Sequence, residues 1–311
     1  MSPWLWGGVA QAFLIFLPDL IWQERHQFIG LQFTASIHAR DVAIGRSEGF
    51  LVQQLLHATN LLTLPVWVAG LYFYFFAPGG RDYRAIGWMW LVKCTLFLVS
   101  QARFYYLAAA YRMLFAGGAV AIEGWLSLIS PRPARAVQGV TLAAFVLSGV
   151  AFAFGTLPVA PVNSPVWDVA SSINGELKEE LGWADLVETV AGIYDSLPEA
   201  ERAQTGIFTG NDGEAGALEL YGPAYGLPKP ICGTNSFWLR GYGDPPPATL
   251  IVLGVKLEEA QQFLEDCQVA GQTPNPYNIL NEETRDHPSI LVCRGVRFPW
   301  PELWPHALSF G

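Results

Sequence analysis

The chain has 311 residues, of which 51% are hydrophobic and only 14% are charged, whereas soluble globular proteins carry about a quarter charged residues. Residues 1–160 contain 10 Lys/Arg and 6 Asp/Glu, a net charge of +4, and residues 161–311 contain 8 and 21, a net charge of −13, which together give −9. This asymmetry predicts an apolar N-terminal part and an acidic C-terminal part, and the acidity argues against nucleic acid as a partner.

Apolar runs follow one another through the N-terminal part, and each is close to the length that a bilayer core requires. They cover residues 4–22, 61–77, 85–101, 104–124 and 137–159. Backbone groups in lipid must pair within their own segment, so these runs are expected to be helices. The fold class predicted for residues 1–160 is a multi-pass α-helical membrane bundle of about five transmembrane helices.

Two short basic loops fix the expected orientation. One contains Arg81 and Arg84, the other contains Arg132 and Arg135, and the positive-inside rule places both in the cytoplasm. Alternation then places the outer loop 24–60, the turn at 101–104 and the domain 161–311 outside the cell. We therefore expect a protein of the inner (plasma) membrane, with residues 49–62 forming an amphipathic helix in the membrane interface.

The C-terminal part, residues 161–311, shows alternating strand and helix patterns after a Pro-rich linker. Helical spacing runs through residues 174–197 with a break at Gly182, and the later segments include TGIFT, ATLIVLGV and SILVCRG as strands and LEEAQQFLEDC as a helix. This order predicts a soluble extracytoplasmic α/β domain with a small, partly parallel sheet. If the domain is outside, Cys267 and Cys293 are the cysteines that we expect to form a disulfide, although spacing alone does not give their geometry.

The outer loop contains a cluster of polar residues in the stretch HARDVAIGR. His38, Arg40, Asp41 and Arg46 belong to it. Arginine offers a planar fork of donors that suits phosphate, so one hypothesis is a cationic patch that holds a lipid-linked phosphate. Anchoring to lipid headgroups, or an Arg–Asp pair, is the alternative that the composition alone favours.

A second cluster lies at the outer turn between two predicted spans, where Arg103 precedes Tyr105 and Tyr106. Arg103 would hold phosphate while the two tyrosines line a polyprenyl or sugar path. An aromatic belt with one snorkelling arginine is an equally good interpretation of these residues.

The stretch from Gly210 to Gly216 follows a strand and opens a helix. Asn211 or Asp212 is expected to cap that helix, and Glu214 in its first turn suits the helix dipole and would repel an anion. A structural turn is the favoured interpretation, with a sugar or acceptor contact through Asn211 and Glu214 as the alternative. The histidines and cysteines lack the spacing of metal ligands, so neither a metal nor a cofactor is expected.

Several segments, taken in order, resemble the C-terminal half of bacterial family 39 membrane glycosyltransferases of the GT-C superfamily, which are relatives of protein mannosyltransferases. They are PDLIWQ, HARDVAIGR, LTLPVWVAGLYFYFF, the paired tyrosines, GNDGEAGALELYGPAYGLP, GTNSFWLRGYGDPPP, NEETRDHP and CRGVRFPWPELWP. The resemblance covers nearly the whole chain. It implies a multi-pass enzyme that takes a sugar from a polyprenyl-phosphate donor on the extracytoplasmic face.

The resemblance also implies a catalytic carboxylate in a first outer loop, and no residue here matches that position. Asp19 and Asp41 are the acidic residues in a similar context. Gln101 stands where family members often have a phosphate-binding lysine, and Arg112 stands where they often have proline. We therefore expect a C-terminal portion whose catalytic residue is unknown and whose N-terminal half lies on a separate or longer chain.

Within this chain the resemblance and the residues together assign donor-phosphate binding to three arginines, and site lining to four neighbours. The binding residues are Arg40, Arg46 and Arg103, and the lining residues are His38, Asp41, Tyr105 and Tyr106. The lipid-linked sugar is expected as a substrate rather than a cofactor. A function of another class stays open, namely a non-catalytic membrane-anchored module that binds a glycan or a protein.

Overall fold

The computed structural model describes residues 3–311, and the chain divides into two compact units. The helical unit is Met1–Ala153 and the α/β unit is Phe154–Gly311. The boundary lies near the end of the last long helix, a few residues before the linker at which the composition changes.

The helical unit contains seven α-helices in its described part. These are α1 (Pro3–Arg25), α2 (Ile29–Ala43), α3 (Phe50–Gln53), α4 (Leu64–Phe75), α5 (Arg84–Val99), α6 (Tyr111–Leu126) and α7 (Pro131–Thr156). A π-helical turn, Gln54–Thr59, extends α3, and 3-10 turns at Pro78–Tyr83 and Phe104–Ala110 precede α5 and α6.

Among the described helices, two are long and apolar enough to cross a membrane. They are Phe104–Leu126 and Pro131–Thr156, and a third span results if Phe50–Thr59 and Leu64–Phe75, which meet at an angle of 112°, are taken together. Helix α5 has 16 residues, which is about 24 Å of rise and less than the roughly 30 Å of a bilayer core. The structure therefore supports membrane association through two or three candidate spans, without fixing the predicted number of five.

Helices α4 and α6 pack closely because glycines lie where they meet. A Cβ atom at Gly70 would collide with the carbonyl of Leu114, and one at Gly118 would collide with the carbonyl of Val66. Small residues of this kind let the backbones of membrane helices approach each other. The contact leaves no space for larger side chains at either glycine.

The predicted outer loop 24–60 is largely helical, since α2 fills its centre. The helix predicted over 49–62 begins at Phe50 and ends at Thr59. It stops at Asn60, whose φ is 117° and whose side-chain oxygen accepts the backbone N–H groups of Leu62 and Thr63. Gln54 in this helix is buried, and its side-chain N–H donates to the carbonyl of Phe104 at 2.8 Å, so this polar side chain points into the helical unit.

The α/β unit begins with helices and then alternates strands with helices. The helices are α8 (Pro165–Ile173), α9 (Glu176–Glu179), α10 (Trp183–Ser196), α11 (Glu199–Arg202), α12 (Asp212–Tyr221), α13 (Leu257–Phe263), α14 (Glu282–Arg285) and α15 (Trp300–Leu303). The strands are β1 (Thr205–Thr209), β2 (Pro230–Cys232), β3 (Thr249–Leu253), β4 (Gln268–Gln272) and β5 (Ser289–Arg294).

The five strands form one mixed sheet in the order β2-β1-β3-β5-β4. Strands β2, β1 and β3 are parallel, whereas β5 runs antiparallel to β3 and β4 runs antiparallel to β5. The prediction of a small, partly parallel sheet is therefore confirmed. Strands β2 and β4 were not predicted, because β2 has three residues and β4 reads QVAGQ, which lacks the apolar run of a buried strand.

Both faces of the sheet are covered, as the side-chain alternation of β3 requires. Ile251 and Leu253 pack with α10 and α12 on one face, and Leu250 and Val252 pack with α13 and α15 on the other. The predicted break at Gly182 is confirmed, with φ at 87° just before α10. The expected disulfide is also present, joining Cys267 to Cys293 beside the β4–β5 pair.

Candidate functional site

Asp41 is the centre of a polar cluster in the helical unit. It lies in the last turn of α2 and is 4% exposed. Arg103 donates to both carboxylate oxygens, from Nη2 to Oδ1 at 2.8 Å and from Nε to Oδ2. This two-pronged contact is the strongest geometry for an arginine and a carboxylate, and it fixes the plane of the guanidinium group.

Two further arginines lie near Asp41, Arg40 beside its carboxylate and Arg46 bonded to its main chain, and we call Arg40, Asp41, Arg46 and Arg103 the arginine cluster. The Nε atom of Arg40 lies 3.9 Å from Asp41 Oδ1, and the backbone N–H of Arg46 donates to the carbonyl of Asp41 at 2.9 Å. The side chains of all three arginines lie close enough to Asp41 to act on its charge.

The arginines also set the protonation of Asp41. The hydrogen bond from Arg103 and the fields of the three guanidinium groups outweigh desolvation, so the pKa of Asp41 lies below its usual value. Asp41 is consequently ionised at neutral pH. With both oxygens engaged and its basicity lowered, it is a poor general base.

Arg103 connects the cluster to the paired tyrosines. Its Nη1 donates to the Tyr105 hydroxyl at 2.7 Å, and the rings of Tyr105 and Tyr106 lie 5.0 Å apart and are about half exposed. A guanidinium group has five N–H donors, of which these contacts use three. One donor on each Nη atom remains for another acceptor.

The structure thus brings together the residues that the sequence placed in two separate motifs. The three predicted phosphate-binding arginines lie around Asp41, and Tyr105 joins them through Arg103. His38 is exposed on α2, three residues before Asp41. The alternative of an Arg–Asp pair is also realised, by Arg40 within the motif at 3.9 Å and more closely by Arg103, whose separation of 62 residues from Asp41 hid the second pair from sequence reasoning.

The turn before α12 is built around Glu214, and we find the predicted cap there. Asn211 accepts the backbone N–H of Glu214 at 2.9 Å, while a carboxylate oxygen of Glu214 accepts the N–H of Gly210 at 3.1 Å. The Glu214 carboxyl group also packs against Gly254, whose φ is +63°. The side chain is 2% exposed, and it occupies the position at the helix start where an external anion would bind.

A second carboxylate, Glu283 of α14, faces this turn and was missed by the sequence analysis. Its Oε1 atom accepts from Asn211 at 3.4 Å, and the side chain is buried. Burial, followed by the charge of Glu283, raises the pKa of Glu214 to about 8. Glu214 is therefore largely protonated at neutral pH, and its burial removes it from direct contact with a sugar in solution.

An open cavity of about 480 Å³ lies on the other side of the same strand ends. Gly210 and Gly254, which follow the parallel strands β1 and β3, border it, as do Gly233 and Thr234 after β2. The carboxyl edge of such strands, where the strand order reverses, is the usual binding position in open α/β sheets. The cavity is lined by apolar walls and by polar residues at its rim. The apolar residues include Phe208, Val252, Phe263, Trp300 and Trp304, and the polar residues include Glu259, Gln262 and His306.

Comparison of the chain with protein-family profiles, with curated proteins and with solved structures found no match. Among residues 3–311, no three His, Cys, Asp or Glu side chains gather in a way that would hold a metal ion.

Proposed function

We propose that this chain is the C-terminal portion of an integral membrane glycosyltransferase that uses a polyprenyl-phosphate-linked sugar as donor. The observation that carries the proposal is the arginine cluster, in which Asp41 holds Arg103 by a two-pronged contact. It is adjacent to the exposed Tyr105 and Tyr106, where the candidate span Phe104–Leu126 begins. A polyprenyl phosphate whose chain lies in the bilayer would place its phosphate group beside these arginines, at the start of the span.

The chemistry of the cluster suits the departure of a lipid phosphate. Negative charge builds on the phosphate as the bond to the sugar breaks, and donors aimed at that charge lower the barrier. Asp41 holds the Arg103 fork in a fixed orientation, and the two remaining N–H groups of Arg103 are available to phosphate oxygens. Arg40 and Arg46 add positive charge close by.

The general base comes from elsewhere in this proposal, because Asp41 is a weak base with both oxygens occupied. An N-terminal half with its own membrane segments would supply it. Helix α7 supports such a partner, since only 6% of its apolar stretch is buried. In the assembled enzyme α1 and α5 would complete a bundle of about five spans, in contact with lipid and with those segments.

The extracytoplasmic placement of the α/β unit belongs to the proposal and has two supports. The loops with Arg81, Arg84, Arg132 and Arg135 favour the cytoplasmic side. The Cys267–Cys293 disulfide is typical of an oxidising compartment outside the cytoplasm.

The test is binding of a polyprenyl phosphate to the full chain in nanodiscs. Arg46→Gln removes one positive charge and leaves the Asp41–Arg103 pair in place, so we expect about a tenfold weaker affinity, equivalent to roughly 1.4 kcal/mol. Arg135→Gln, in the basic loop that follows the fourth predicted span, is the charge-matched control and should bind as the unmodified chain does. Arg103→Lys keeps the positive charge but loses the planar guanidinium group with its paired N–H donors, and it should weaken binding as well.

Binding of the uncharged polyprenol, measured in the same way, tests whether the phosphate group is recognised. Equal binding of polyprenol and polyprenyl phosphate, or equal losses in Arg46→Gln and Arg135→Gln, would contradict the proposal. Equal competition by phosphatidylglycerol would instead favour headgroup anchoring by the same arginines.

The cavity of the α/β unit favours a second candidate, a membrane-anchored module that binds a glycan. Its volume of about 480 Å³ and its tryptophan walls suit a small sugar. This candidate predicts that soluble oligosaccharides bind the full chain and that His306→Ala at the exposed rim weakens them. Polyprenyl phosphate would then bind no better than polyprenol.

A further inference from the structure

Helix α8 has an apolar surface that the α/β unit does not cover. Val166, Val169 and Ile173 are 50%, 60% and 75% exposed, while Trp167 and Ala170 are buried against the domain. At 100° per residue the three exposed side chains lie within an arc of about 60°. The apolar side of α8 therefore extends beyond the part that packs on the α/β unit, and its outer part is exposed.

A neighbouring loop extends this surface. The side chain of Asn163, just before α8, donates to the carbonyl of Tyr277 at 2.9 Å. This bond holds the loop 275–281 beside the helix, and Tyr277 and Leu280 of that loop are 40% and 63% exposed. We call Val166, Val169, Ile173, Tyr277 and Leu280 the apolar strip.

Chain connectivity indicates what covers the strip. The candidate span α7 ends at Thr156 and α8 begins at Pro165, so eight residues separate them. Even fully extended, such a linker spans at most about 28 Å, which keeps α8 near the membrane surface. The linker itself exposes two further apolar side chains, Leu157 and Val159.

We propose that the apolar strip docks into the interface of the bilayer and holds the α/β unit against the membrane. Helices with an apolar stripe lie in the interface plane, and tyrosine is enriched at that depth. None of the five strip residues is charged, and the α/β part of the chain is strongly acidic. The docking is therefore driven by apolar contact and does not require anionic lipid.

The test uses the full chain, one copy per nanodisc, in phosphatidylcholine. Cys94→Ala removes a free cysteine of the helical unit, and Cys232 is buried, so a single new cysteine can carry a fluorophore. We compare labels at Val169→Cys and Ile173→Cys with a control at Asp168→Cys, which lies about 100° from Val169 on α8. A lipid with a quencher near its headgroup should quench the two strip labels at least threefold more than the control, and aqueous iodide should do the reverse.

Each other result overturns the proposal. Equal quenching of strip and control labels by iodide would mean that water covers the strip. Protection of the strip labels from both quenchers would mean that protein covers it.

Discussion

Each unit buries a carboxylate, and the two behave in opposite ways. Asp41 is 4% exposed and Glu214 is 2% exposed. Arg103 keeps Asp41 ionised with a lowered pKa, whereas burial and the neighbouring Glu283 raise the pKa of Glu214 to about 8. The partner of a buried carboxyl group, more than its exposed fraction, therefore decides its charge.

The difference follows from where the chain places its cations. Residues 1–160 hold 10 of the 18 Lys/Arg, and residues 161–311 pair 8 Lys/Arg with 21 Asp/Glu. In the α/β unit Glu214 is stabilised by backbone N–H groups and by retaining its proton. In the helical unit Asp41 is stabilised as an anion.

The largest expected effect is a loss of α/β-unit stability as rising pH removes the proton from Glu214. The folded unit keeps the Glu214 proton up to about pH 8, while the unfolded chain releases it near pH 4.5. Between these values the folded state binds more protons, so stability falls as pH rises, by about 1.4 kcal/mol per pH unit or roughly 3–4 kcal/mol from pH 5 to pH 8. Urea titration of the full chain in nanodiscs, with pulse proteolysis detected on α/β-unit peptides, measures this loss.

Glu214→Gln is the matched variant for that titration. This substitution keeps the size of the side chain and removes the titrating carboxyl group. The stability of the variant should therefore change far less over the same pH range. Parallel pH profiles for the variant and the unmodified chain would show that Glu214 is ionised at neutral pH, and the contrast with Asp41 would fail.

The next effect concerns the disulfide, which constrains the α/β unit. Cys267 and Cys293 are separated by 26 residues, and closing a loop of that length stabilises a fold by about 3 kcal/mol. Cys267→Ser should lower the urea midpoint of α/β-unit peptides and leave helical-unit peptides unchanged. Cys94→Ser in the helical unit is the control, and an equal fall of the α/β-unit midpoint in both variants would show that the effect does not come from the disulfide.

The smallest effect concerns the Asp41–Arg103 pair. Arg103→Ala leaves Asp41 without its main partner and should destabilise the helical unit by about 1–3 kcal/mol, less than for a fully buried pair because the Arg103 side chain is 20% exposed. Asp41→Asn in the same chain should restore most of the loss. Hydrogen exchange of α2 peptides in nanodiscs measures both, and no rescue would show that Arg103 acts independently of Asp41.

The patterns that repeat within a few residues were predictable. Apolar runs predicted the long helices, and apolar residues predicted the buried strands β1, β3 and β5. Gly182 predicted a helix break. Charge distribution separated the apolar part from the acidic part. Each of these signals reports a local period or composition, which depends on the backbone geometry of one element.

The partners of the important side chains were decided by the tertiary structure. The sequence placed Arg40, Asp41 and Arg46 in one motif, but only packing brought Arg103 to Asp41 across 62 residues. In the same way, packing buried Gln54, brought Glu283 to Asn211 and opened the cavity at the strand ends. Composition determined that this chain has an apolar and an acidic part, whereas contacts between distant residues determined which of its carboxylates is charged, because a charge is set by what surrounds it in space.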